Sequence, residues 1–223
     1  MSSKKSIKFL LQGVASVCLV MAMGISYVAF GADTTLTTSV TAGELTVDIV
    51  DGAGATVPTP GVTMSGATYS NSGTSESTGT LGAADQKIFI SNLTATDTWT
   101  LSIAATTTDV WTDGGSNTFD FNDGASGEDE NGVTDADSVG GQLTVNPSAG
   151  TLTGVASTSV DNISKGSSTA FAEGVTDSIT LLTAGEGAAA PGEWTFTGIS
   201  LSQIIPPSQP IADYTLDLVI TVS

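Results

Sequence analysis

Histidine and arginine are missing from this chain of 223 residues, and cysteine occurs once, at Cys18. Ser-His-Asp and Cys-His arrangements, histidine-based metal centres and arginine clamps are thereby excluded. Basic charge is scarce as well: the lysines are Lys4, Lys5, Lys8, Lys87 and Lys165, against 23 acids, for a formal charge of −18. Nucleic acid and anionic lipid need a positive footprint that this balance does not supply. Aromatic residues make up only 6%. That is little from which to line a sugar-polymer cleft, so the remaining catalytic option, a carboxylate pair at fixed separation, is disfavoured. The expectation is a protein that is not an enzyme.

Hydrophobic residues nevertheless reach 39%, enough for one good core or two small ones and too many for a disordered chain. Three of the five lysines lie at the start, in MSSKKSIKFLLQGVASVCLVMAMGISYVAFGA. A basic beginning, an apolar run from Phe9 to Phe30 and small residues after it have the layout of a secretory signal, with cleavage expected after Gly31. The rival is a retained anchor, since about 20 apolar residues span a bilayer. Cys18 follows Val17, not a small residue, which makes a poor lipoprotein site. Once residues 1–31 are removed, two lysines face 23 acids, a formal charge of −21, and no cysteine is left for a disulfide. The expected destination is outside the cell. The alternative reading is that the charge only keeps an exported protein soluble.

Along residues 32–223 the punctuation is Gly, Thr, Ser, Asp and Asn, and no convincing run has helical period. Short alternating stretches between the turn residues predict an all-β, sandwich-like single domain. Strands are expected at Glu44–Val50, Val62–Tyr69, Lys87–Leu93, Thr98–Ala104, Gln142–Val145, Ser178–Leu182, Trp194–Leu201 and Tyr214–Val222. Leu45, Val47 and Ile49 share one face, as do Trp99, Leu101 and Ile103. In the last strand Tyr214, Leu216, Leu218, Ile220 and Val222 form an apolar face. The prolines Pro206, Pro207 and Pro210 before it mark a turn or crossover, because proline has no N–H for the ladder.

Several segments in order resemble the WxL domain of Gram-positive surface proteins. The first motif is DTWTLSI, with Trp99 and Leu101. The second, P-x7-Y-x3-L-x-W-x-L in the family, maps without a gap onto Pro206, Tyr214, Leu218, Ile220 and Val222, so the tryptophan and leucine are replaced by Ile220 and Val222. SVTAGELTV, residues 39–47, is similar to the opening strand, and LLTAGEGAAAPGEWTF to the penultimate stretch. Together they extend from about residue 37 to 223. The resemblance implies an exported protein that associates non-covalently with the cell wall, through peptidoglycan, and with other surface proteins. No sortase-type signal is present in the sequence, so attachment is expected from the fold or from the N-terminal segment. The alternative is a self-assembling structural subunit of a surface layer or fibre, joined through exposed strand edges.

The candidate binding residues are Trp99, Leu101, Trp111, Tyr214, Ile220 and Val222. Trp99 is favoured as core, and Trp194 alternates with Phe196 on an expected buried face. Trp111, beside the turn residues of TTDVWTDGGSN, is the better candidate for an exposed aromatic. The acidic stretch DFNDGASGEDENGVTDAD, residues 120–137, holds seven acids and no base, with Asp113 just upstream. Crowded carboxylates repel unless screened, and oxygen-rich glycine-punctuated loops suit calcium. Asp120, Asn122, Asp123, Asp135 and Asp137 are the candidate calcium ligands of an acidic loop at about 113–137. The spacing is not an EF-hand, since glycine stands fifth and asparagine twelfth, and a solvated mobile loop is the competing reading. Asn92 in NLT and Asn162 in NIS match the glycosylation tripeptide, a frequent coincidence in a Thr/Ser-rich chain.

Overall fold

Alternating burial is the local rule from which much of the architecture grows. In a computed structural model describing residues 38–39, 41–105, 110–123 and 140–223, every second side chain of the well-formed strands faces the core. The strands are β1 (Leu45–Val50), β2 (Ser75–Leu81), β3 (Lys87–Asn92), β4 (Trp99–Ala105), β5 (Trp111–Thr112), β6 (Thr118–Phe119), β7 (Asn122–Asp123) and β8 (Gly141–Asn146). They continue with β9 (Thr151–Gly154), β10 (Ile163–Lys165), β11 (Thr169–Ala170), β12 (Ser178–Ala184), β13 (Gly192–Thr197), β14 (Ile199–Ile205) and β15 (Leu218–Val222). Among the described residues the only helical turns are two short 3-10 segments, Pro147–Ala149 and Val155–Ser157. None is long and apolar enough to cross a membrane. The chain falls into two units, Met1–Val40 and Thr41–Ser223, and all of these strands belong to the second. The protein is all-β, as its alternating pattern predicts.

All pairings between strands are antiparallel. One sheet runs β1-β3-β13-β9, a second β10-β12-β4-β15, and a third β11-β8-β14-β2 with β7 added on β8. The first two supply the halves of a sandwich: Trp99 of β4 and Trp194 of β13 meet in the core with ring centroids 5.3 Å apart. Around them Ile88, Ile90, Leu101, Leu182 and Phe196 are fully buried. Full burial of each such side chain contributes about 1.5–3 kcal/mol. A one-residue slip of β4 would turn Trp99, Leu101 and Ile103 outward together, which fixes its pairing with β12 and β15. In β12 a register shift between Thr180 and Leu182 lets the consecutive Leu181 and Leu182 both face the interior.

Three expectations need correction. The span Trp194–Leu201 is two strands, because Gly198, at φ +76°, turns the chain out of the first sheet and into the third. A residue with a Cβ adopts that conformation at a cost. The span Val62–Tyr69 is not a strand; it lies along β2, where Ser65 N–H donates to Thr78 O at 2.6 Å and Ser77 Oγ donates to Ser65 O. The strand is β2 itself, SESTGTL, whose polar composition hides it. The third is the last strand, which begins at Leu218, not at Tyr214. Leu216, Leu218, Ile220 and Val222 do pack against the core, but only partly buried, since β15 is an edge strand. Tyr214 instead leaves the row to join an aromatic cluster, described next.

Candidate functional site

A tight hairpin begins the site. Asp113 Oδ1 accepts hydrogen bonds from Gly115 N–H at 2.7 Å and Asn117 N–H at 3.2 Å, and its Oδ2 accepts from Asn117 Nδ2 at 2.5 Å. The N–H of Gly115 and the amide of Asn117 hold the carboxyl below its ordinary value of 3.8. With Gly114 at φ +75°, this turn sets β5 against β6 and pairs Trp111 with Phe119. Their rings stack at 5.7 Å and 10°. The chain before β15 is drawn to the same place, because Thr112 and Thr215 exchange backbone hydrogen bonds of 3.0 and 2.8 Å. Tyr214 then packs edge-on to Phe119 at 5.0 Å and 70°.

One buried and one half-buried amide, Gln203 and Gln209, hold this cluster. Trp111 Nε1 donates to Gln203 Oε1 at 2.8 Å, and Gln203 Nε2 donates to the carbonyls of Asp120 and Ile204. Gln209 Nε2 donates to Thr118 O and to Tyr214 Oη, and that hydroxyl donates to Pro210 O at 2.8 Å. The result is a groove of about 650 Å³ with the three aromatics on one side. Tyr69, 54% exposed, and Ile211, 88% exposed, stand at its rim with Asp213. A concave surface with aromatic walls and a few fixed polar groups is the usual form of a small-ligand or glycan subsite.

The candidate binding residues thus divide. Trp111 and Tyr214 come together in the groove, though Trp111 is half-buried and its N–H is engaged, so the expectation of a freely exposed ring is corrected. Trp99 and Leu101, 3% and 0% exposed, are core residues out of reach of a surface ligand. Ile220 and Val222 lie on β15 opposite Ile103 and Leu101 of β4, so the two motif segments are neighbouring strands. Sequence reading missed Tyr69, Phe119, Gln203 and Gln209. One signal was available for Gln203, which occupies the inward phase of β14 after Ile199 and Leu201 and is 1% exposed.

Of the candidate calcium ligands, Asp120 and Asp123 are buried, 7% and 1% exposed, and Asn122 and Asp123 form β7 beside β8. Asp135 and Asp137 lie outside the described residues. Among the described residues no three His, Cys, Asp or Glu side chains group closely enough to hold a metal, so the calcium expectation depends on the two ligands not described. Asn92 is 1% exposed, its Nδ2 donating to Thr96 O at 2.8 Å and its Oδ1 accepting from Thr94. Its side chain belongs to a turn and is closed to modification in the folded protein. Asn162 sits at φ +60° with Nδ2 donating to Gly187 O.

In comparisons with family models, curated proteins and solved structures, none matched this chain.

Proposed function

We propose that this is a secreted cell-surface protein that associates non-covalently with the bacterial cell wall, through peptidoglycan, and with other surface proteins. The role is one of binding, in keeping with a chain that has no histidine or arginine. The observation that carries the reading is the groove walled by the half-buried rings of Trp111 and Tyr214, which are backed by the buried Phe119, with the exposed ring of Tyr69 at the rim. Flat apolar faces beside hydroxyl and amide groups suit the alternating C–H and O–H surfaces of a wall glycan. The N-terminal signal layout and the resemblance to the WxL domain support the location.

Sedimentation with purified cell-wall sacculi tests this. Tyr69 is the residue to change, because Trp111 and Tyr214 also hold the cluster together. The full chain is expected to co-sediment, and Tyr69→Ala to weaken binding about tenfold with an unchanged melt. A wild-type chain left in the supernatant contradicts the proposal.

A second reading, the self-assembling subunit, is supported by the uncharged outer edge of β15. Against it stands the large negative charge, which makes copies repel at low salt. Concentration-dependent assembly in size-exclusion chromatography, without wall binding, would favour it.

A further inference from the structure

A second cleft, of about 620 Å³, opens between β1 and β15. Val47 and Ile49 line it from β1, Leu218 and Ile220 from β15, and Met64 and Leu81 from the segment and strand beside them. The backbone on both sides is as informative as the side chains. In β1, Glu44 O accepts from Leu93 N–H, so the even-numbered residues bond β3 and the odd-numbered ones turn outward. Ile49 O is taken by Val57 N–H, and Ile49 N–H by Asp48 Oδ1. Leu45 and Val47 have no such partner among the described residues. In β15, Ser223 and Thr100 exchange both hydrogen bonds, which makes Thr221 and Val219 the next residues bonded to β4. Leu218, Ile220 and Val222 therefore point their N–H and C=O groups away from β4. Among the described residues no strand receives them.

The edges at β2, β9 and β10 are protected. The edge of β2 is covered by the segment around Ser65. At the far side of the sandwich β9 has four residues, and β10 has three and ends on Lys165, whose ammonium is tied to Ser148 O and Gly150 O. Short length and charge are the ordinary protections of a sheet edge. β15, LVITV, has neither charge nor proline nor glycine.

We infer that the cleft between β1 and β15 is a strand-addition site for an extended segment of a partner protein, one that alternates apolar side chains and is flanked by basic residues. Main-chain hydrogen bonds to an open edge supply affinity in this mode, and alternate side chains entering a cleft supply specificity. The basic flanks follow from charge: Asp48 and Asp217 line the cleft, no cation does among the described residues, and the chain is strongly acidic. A second copy of this chain brings like charge to the same place. A lipid tail would fill the apolar space but leave the outward N–H and C=O groups of both strands unused. The inference deepens the surface-protein arm of the proposed function, and it uses a cleft that Tyr69 does not line.

Panning a random twelve-residue peptide library on the full chain tests it. Enriched peptides are expected to alternate apolar residues and to carry lysine or arginine at their ends. Binding should weaken at least tenfold when every second backbone nitrogen of the peptide is methylated, and again when its basic residues become glutamate. Val47→Pro and Ile220→Pro, each removing one outward N–H, should weaken binding similarly. Bound peptide should slow amide exchange at Val47, Leu218 and Ile220, which line the cleft, a readout that holds even if a proline variant misfolds. The inference is overturned by failure to enrich any peptide, by peptides that tolerate N-methylation, by a fluorescent fatty acid that binds where no peptide does, or by self-association protecting those same amides. Wall sedimentation with Tyr69→Ala is scored separately, so loss of one property does not decide the other.

Discussion

Trp111 Nε1 donates to Gln203 Oε1 at 2.8 Å, across 92 positions of sequence. The bond ties the β5–β6 hairpin to the middle of β14, and Gln203, 1% exposed, in turn donates to the carbonyls of Asp120 and Ile204. A buried glutamine is tolerated there because its partners use both ends of the amide.

Gln203→Leu keeps the volume and takes away the acceptor of the Trp111 indole N–H. An orphaned buried polar group costs about 1–3 kcal/mol, so the variant is expected to lose about 2–3 kcal/mol in urea unfolding. Its Trp111 emission should shift toward that of a solvated ring. An unchanged urea midpoint would mean that the hairpin is held by its aromatic contacts alone.

The tryptophan pair of the core offers a finer comparison. Trp194 Nε1 donates to Ser159 O at 2.9 Å, whereas the buried Nε1 of Trp99 has no hydrogen-bond partner among the described residues. Replacement by phenylalanine removes similar volume at either position. Trp194→Phe should therefore be the more destabilising by about 1 kcal/mol, the net worth of one ordinary hydrogen bond. Chemical denaturation of the two variants measures the difference.

Removal of Leu218–Ser223 tests the contribution of β15. Three half-buried apolar side chains and the ladder to β4 are lost, together about 3 kcal/mol or more. That is a large part of the 5–15 kcal/mol typical of a domain. The truncated chain is expected to melt at a much lower temperature or without a cooperative transition.

Acid should loosen two turns. Backbone N–H donors, those of Ala55 and Ala53 first, hold the Asp51 carboxyl below its ordinary value of 3.8, and those of Gly115 with the Asn117 side chain do the same for Asp113. A carboxyl lowered by folding stabilises the folded state above its unfolded value, and the contribution fades as pH falls through the lower folded value. Stability should thus decline as pH drops below about 4. Asp113→Asn should remove part of that slope, which unfolding midpoints from neutral to acid pH will show.

Much of the fold is legible because alternation and burial coincide. Leu45–Val50, Lys87–Asn92, Trp99–Ala105, Gly141–Asn146 and Ser178–Ala184 all lie where apolar residues alternate with polar ones. β2 is hidden because Ser, Glu and Thr dominate it, and it depends on Val62 and Met64 from a neighbouring segment to cover it. The division of Trp194–Leu201 turns on the positive φ of Gly198, which periodicity does not register. The site is less legible than the fold. Trp111 and Tyr214 stand out singly, but Phe119 between them depends on a hairpin of two-residue strands and on the Thr112–Thr215 bridge. No local pattern announces a contact of that range.

The wall-binding groove is tested most directly by sedimenting the full chain with purified sacculi across a concentration series, beside Tyr69→Ala and Ile211→Ser. Saturable binding that falls about tenfold in each rim variant, with melts unchanged, is the predicted result. Equal binding by all three proteins, or none by the wild type, would contradict it.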